Sequence, residues 1–118
     1  MARVSDSINH SFATYSTSQG LSLGTGVVCN YAVVFDKNNN LQIYENATAK
    51  GTAGSLSNIG NISDTSTSFQ LGICDFISDY AQFKINSVLF YNKALSASEI
   101  AQNYNAGLVW NKARNKSR

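Results

Sequence analysis

Residues 83–107, FKINSVLFYNKALSASEIAQNYNAG, carry two hydrophobic periods in one stretch, and the switch between them constrains the fold more than any other feature of this chain. Over 81–91 the residues alternate as in a strand. Phe83, Ile85, Leu89 and Tyr91 lie on one face and Lys84, Asn86, Val88 and Phe90 on the other. Both faces become apolar toward Phe90, which predicts an end buried between two layers. A helix over 96–106 follows and opens with a capping box. Ser96 is placed to accept from the backbone N–H of Ser98 or Glu99, and Glu99 can reach back to the N–H of Ser96. Ile100 and Tyr104 then stand i,i+4 on one apolar face, and Gly107 offers a left-handed stop. The expectation is a last strand that passes through a short loop into a helix closing one edge or end of a sheet structure.

The 118 residues amount to one domain, spanning 1–118, with enough chain to bury a core. A hydrophobic share of 43% with six Phe, six Tyr and one Trp argues for a folded chain. Charged residues make up 14%, against an average of about 25%. The polar surface is instead Ser, Thr and Asn, which favour turns and strand edges over helices. Proline is absent, so the turns rest on Gly and Asn.

A net charge of +2 is too small to imply a nucleic-acid partner. Four of the nine basic residues, Lys112, Arg114, Lys116 and Arg118, nevertheless lie in a polar C-terminal tail over 108–118. That tail reads either as solvated or as the rim of a contact with an acidic partner. No apolar run approaches the ~18 residues a membrane span requires. The start, MARVSDSINH, lacks the apolar middle of a signal peptide, so the expectation is a chain made and kept inside a cell. In that setting Cys29 and Cys74 are expected as buried thiols rather than a disulfide.

Along the chain, residues 1–8 read as an arm, and 12–15 as a short strand. Val27–Phe35 is nearly continuous in apolar residues, which predicts a central strand. Asp36-Lys-Asn-Asn-Asn40 supplies a hairpin turn, and Leu41–Asn46 alternates. Residues 50–67 read as irregular loop with room for a short strand. A strand over 68–73 places Phe69, Leu71 and Ile73 on one face, and 75–80 forms a loop after it.

Two of these stretches resemble laminin G-like domains of the concanavalin A-like lectin/glucanase superfamily. NYAVVFDKNNNLQIYENA is similar to the family's strand–turn–strand hairpin, with ENA where the family has VNG, and LFYNKALSASEIAQNYNAG resembles its last strand and closing helix. The resemblance covers roughly residues 27–107. It implies an all-β fold, an antiparallel jelly-roll β-sandwich with one short C-terminal α-helix. A full sandwich of this family has several more N-terminal strands than 26 residues can hold. This chain is therefore either a minimal version or one whose sheets a neighbouring chain completes.

Family glycosidases use paired carboxylates, typically as E-x-D-x-x-E, and no such motif occurs here; the chain has two glutamates, Glu45 and Glu99. His10 is the lone histidine, and no phosphate-binding glycine loop is present. No enzyme activity and no cofactor are expected. Some laminin G-like domains bind calcium through loop aspartates, which makes Asp75 and Asp79 the candidate ligands, with two solvated loop aspartates as the alternative. A glycan would need an aromatic with polar neighbours, for which Tyr44 and Tyr80 are the candidates.

The resemblance also looks toward virus particles, where this type of fold serves in bacteriophage decoration and tail proteins. The expected role is a non-catalytic structural subunit of a virion, a homo-oligomer or part of a larger protein assembly. A carbohydrate-binding module is the alternative. Trp110, just past Gly107 and followed by Lys112, Arg114, Lys116 and Arg118, reads as an anchor with an electrostatic rim, or else as a cap folded back on its own sandwich.

Overall fold

The Asn-rich turn does what its composition predicts. The amide of Asp36 donates to Asn40 O at 3.0 Å and that of Asn39 to Asp36 O at 2.9 Å, which reverses the chain between β3 (Tyr31–Phe35) and β4 (Asn40–Glu45). The computed structural model describes residues 2–5, 10–13, 28–37, 39–59, 73–74, 79–80 and 84–116, with side chains described for 28–37, 39–59 and 84–108. The antiparallel register pairs Tyr31 with Glu45, Val33 with Ile43 and Phe35 with Leu41. Directly opposed residues share a face, so these six point one way, while Ala32, Val34, Gln42 and Tyr44 point the other.

The stretch read over 50–67 as irregular loop with room for a short strand holds most of β5 (Thr48–Ser55), which completes a three-stranded sheet in the order β3-β4-β5. The periodicity of this stretch is hidden by a bulge. Leu41 pairs with Gly54 and Ile43 with Lys50, so one residue of β4 faces three of β5. Gly51 absorbs the kink at φ 69°, and the Gln42 side-chain amide donates to Ile43 O at 2.9 Å and Lys50 O at 2.8 Å, standing in for the interrupted ladder.

β4 and β5 are joined by a two-residue turn, Asn46-Ala47, flanked by the Glu45–Thr48 pair. Both residues have positive φ, 49° and 66°, as a type I′ turn requires. Asn46 is further held by Asn30, whose carbonyl accepts from the Asn46 amide at 2.8 Å and whose amide donates to Asn46 Oδ1 at 2.9 Å.

The core lies on the Leu41–Ile43 face. These two residues, Leu56 and Ile59 are buried together, with Phe35 packed against them. The turn after β5 places Leu56 there: its amide bonds Asn39 O and its carbonyl accepts from Ile59. Each such side chain contributes roughly 1.5–3 kcal/mol through removal from water.

The stretch expected as an N-terminal arm is partly strand. β1 (Ala2–Ser5) pairs antiparallel with β2 (His10–Ala13), from Ala2–Ala13 to Ser5–His10, and this hairpin lies against β4 and β5. The second strand thus starts earlier than the one expected over 12–15. A further small hairpin pairs β6 (Ile73–Cys74) with β7 (Asp79–Tyr80). The rest of the expected 68–73 strand and of the 75–80 loop lies outside the described residues.

Three strand expectations are corrected. Residues 28–30 stand outside the early strand, whose regular pairing begins at Tyr31, and among the described strands β4 rather than β3 lies between two neighbours. Residues 84–91 form no strand, and their apolar side chains are exposed rather than buried between layers: Leu89 is 69% and Phe90 73% accessible. Composition marks a segment as suited to a sheet, but it cannot supply the neighbouring strand that a sheet needs.

The helix is also longer than expected. α1 spans Ala97–Lys116 and runs through Gly107, which is helical rather than a left-handed stop. Glycine is permissive of the left-handed state without imposing it, and the residues on both sides are good enough helix formers to continue. The expected short helix and the basic tail as far as Lys116 are thereby one element of 20 residues.

Candidate functional site

The capping box fixes how α1 starts. The Glu99 amide donates to Ser96 Oγ at 3.2 Å, and Glu99 Oε2 accepts from the Ser96 amide at 2.9 Å. Lys93 adds an ion pair to Glu99 Oε1, and Ser98 Oγ lies 3.0 Å from Ser96 Oγ. The Lys93 ammonium, then the Ser96 amide, hold the Glu99 carboxyl below the ordinary glutamate range. Ile100, one residue further on, is buried, and Tyr104 is half-buried, as the i,i+4 spacing predicts.

This start is set opposite the Tyr44 side of the sheet, and the two enclose an open cleft of about 360 Å³. Val34, Gln42 and Tyr44 form its floor, Asp36, Asn39 and Asn40 of the hairpin turn form one end, and residues 94–97 with Glu99 form the facing wall. Tyr44 is half-buried, and its opposed neighbours are Ala32 and Ala49, whose single methyl groups leave the flanks of the phenol ring little crowded. The polar groups divide into two sets. Ser96, Glu99 and the Gln42 amide nitrogen are occupied by the cap and the bulge. The Asn39 and Asn40 amides and the Tyr44 hydroxyl make no side-chain hydrogen bond among the described residues, so donors and acceptors for a neutral polar ligand converge beside an aromatic ring.

A second polar feature lies on the opposite face. Glu45 is buried, and the Tyr31 hydroxyl donates to its Oε1 at 3.0 Å. Burial of the phenol end, then the bond to the carboxylate, raise the Tyr31 hydroxyl above the ordinary tyrosine range. The two glutamates are therefore on opposite sides of the sheet: Glu45 on the core face, tied to Tyr31, and Glu99 at the helix cap beside the cleft. They do not flank a common space, as a glycosidase pair must.

Of the residues singled out in the sequence, Tyr44 is in the cleft. Tyr80 and Asp79 pair across β6–β7 with Ile73 and Cys74; their side chains, and Asp75 entirely, lie outside the described residues. Trp110, Lys112, Arg114 and Lys116 fall on the last turns of α1 rather than on an extended tail, again without described side chains, and Arg118 lies outside the described residues. The helical backbone places 110 and 114 one turn apart, and likewise 112 and 116, so the alternating order of the basic residues no longer forms a single row. Cys29 is in no disulfide and is half-buried rather than fully buried, and the side chain of Cys74 is outside the described set. No helix is long and apolar enough to cross a membrane, and no group of three metal-binding side chains occurs, both among the described residues. Asn39 and Asn40 were legible in the sequence only as turn formers; their place at a cleft depends on where the helix starts in space.

A family model described as the concanavalin A-like lectin/glucanases superfamily matches residues 3–101, which extends the similarity forward over β1 and β2 and ends in the first turns of α1. No curated protein and no solved structure matches the chain. With its antiparallel strands, its capped closing helix and a match over most of its length, the chain belongs to the concanavalin A-like lectin/glucanases superfamily.

Proposed function

We propose that this chain is a non-catalytic structural subunit of a larger protein assembly, built on a jelly-roll sandwich and serving as a bacteriophage decoration or tail-associated protein of the virion. The observation that carries the assembly reading is the open apolar surface: Val28, Tyr31 and Val33 on and beside β3, and Ile85, Val88, Leu89 and Tyr91 ahead of the helix, are all exposed. Large apolar side chains left in solvent in two short runs of chain are the kind of surface that a partner covers. The separation of Glu45 from Glu99 on the two sheet faces supports the non-enzymatic part. The low charge and the basic end of α1 suit a protein held by its neighbours more than one diffusing alone.

The test is antibody labelling of purified particles, viewed by electron microscopy, with soluble protein from the same preparation as the comparison. Labelling at symmetric positions is the expected result. A chain confined to the soluble fraction removes the virion setting. Release of reducing sugar from a β-glucan that is lost in Glu45→Gln or Glu99→Gln overturns the non-enzymatic reading.

A carbohydrate-binding role is the second reading, favoured by the Tyr44 ring beside the Asn39 and Asn40 side-chain amides, which make no hydrogen bond among the described residues. Titration with neutral oligosaccharides, with and without calcium, tests it. Binding that Tyr44→Ala abolishes supports the cleft, and binding indifferent to Tyr44 moves the site elsewhere, with Tyr80, Asp75 and Asp79 the next to substitute.

A further inference from the structure

We infer that residues 91–95 form a strap clasped to α1 at two points, and that its exposed ionic clasp, Lys93–Glu99, controls how far the Tyr44 cleft is open. The two clasps are matched in spacing. The Asn103 amide donates to the Tyr91 hydroxyl at 3.1 Å, and the Lys93 ammonium pairs with Glu99 Oε1. Glu99 and Asn103 stand i,i+4 on one face of α1, about 6 Å apart along its axis. Tyr91 and Lys93 are two residues apart, a reach of up to ~7 Å. The strap therefore runs back along the first turns of the helix, its earlier residue tied to the later helical position.

Ala94, Leu95 and Ser96 form the wall of the cleft, whereas Tyr91, Lys93 and Asn103 do not line it. The wall is thus positioned by side chains that stand outside the site. Little else holds it. Residues 91–95 make no backbone hydrogen bond among the described residues, and Leu95 is half-buried while the other four are exposed. The clasps also differ in kind. The Tyr91–Asn103 bond joins a phenol to an amide and keeps the strap on the helix at any ionic strength. The Lys93 and Glu99 side chains are 60% and 37% accessible, which leaves their pairing open to screening by salt. One carboxylate serves both clasp and cap, Oε1 toward Lys93 and Oε2 toward the Ser96 amide, so the two ties bracket the wall residues Ala94 and Leu95. Low salt holds the wall in place, and high salt lets it swing about the Tyr91 clasp. This control rests on the cleft of the second reading above, but it is read from wall and floor without a ligand, so each can fail alone.

Methyl NMR spectra of the full chain between about 20 mM and about 0.5 M sodium chloride are the test, with the buried Ile43 on the opposite face as reference. The Leu95 methyls on the wall and the Val34 methyls on the floor should move together as salt rises. The ratio of held to loosened strap should fall about two- to fivefold, the effect of one exposed ion pair. Lys93→Met, which keeps the stem and loses the charge, should at low salt resemble the parent at high salt and respond no further. Tyr91→Phe should leave the salt response in place. Combined with Lys93→Met it should release the strap and lower the backbone order parameters at 92–95 from about 0.85 to below about 0.6. A parent whose Leu95 ignores salt, a Val34 that stays still while Leu95 moves, or a Lys93→Met variant that responds as the parent does each overturns the proposal. So does a double variant as rigid as the parent. Both substituted side chains are exposed, and the titration of the parent decides by itself where a variant fails to fold. A responsive wall in a chain that binds no neutral oligosaccharide removes the carbohydrate reading and leaves the strap, whereas Tyr44-dependent binding beside an unresponsive wall does the reverse.

Discussion

Ala47 occupies a position whose backbone favours glycine, and replacing it measures how much strain the β4–β5 turn holds. Its φ of 66° is left-handed, where an L-residue costs roughly 1–2 kcal/mol because Cβ crowds the backbone carbonyl. The neighbouring Asn46, at φ 49°, tolerates the same region better through its short polar side chain and its two bonds to Asn30. Ala47→Gly removes the crowding but enlarges the unfolded ensemble, which offsets about 0.4–1 kcal/mol of the gain. The balance is a stabilisation of about 0.5–1 kcal/mol. With an m-value of roughly 1–3 kcal/mol/M in urea, the midpoint moves up by about 0.2–1 M, readable by far-UV circular dichroism. Ala47→Val should move it the other way by a larger amount, since a β-branched side chain is least at home at positive φ. A glycine variant no more stable than the parent, or one ranked below valine, would refute the turn geometry and with it the Glu45–Thr48 register.

Gly107 has the opposite requirement: it is helical, and a Cβ there meets nothing within 4 Å, so Gly107→Ala should stabilise by about 1 kcal/mol in thermal melts, while a loss of stability would restore the left-handed stop. Ser96→Ala should cost about 1 kcal/mol through the lost bond to the Glu99 amide. The Glu99 carboxyl is held below its ordinary value, so the stability it supplies is present above the unfolded value of about 4.3 and is lost as pH falls through its lower folded value. The melting difference between the parent and Glu99→Gln should therefore be constant near neutrality and shrink in acid; a difference that grows in acid contradicts the cap. Leu56→Ala, which empties a fully buried site beneath the sheet, should cost about 2–5 kcal/mol by urea denaturation, and a cost under 1 would place the core elsewhere.

What the amino-acid sequence determined by itself is local. The capping box over Ser96–Glu99 depends on side chains bonding backbone groups within a few residues, and the Asp36–Asn40 turn on backbone bonds inside the turn that an Asn-rich stretch accommodates, so local sequence alone specifies both. The alternation of β4 is equally local, and its buried Leu41 and Ile43 follow directly from it. The family likeness was legible for the same reason, resting on the hairpin and the strand-to-helix passage. What only the tertiary structure decided is long-range. β5 was legible only as room for a short strand because its Gly51 kink breaks the period that marks one, and the partner that makes it one, β4 with its Gln42 bridge, is reached through space. The Tyr44 cleft exists because the helix start is set over one face of the sheet, a placement that no residue of the hairpin encodes. Residues 84–91 show the same limit from the other side: an apolar alternating segment states that it suits a sheet, but whether it is buried depends on a neighbour's backbone groups being within hydrogen-bonding reach.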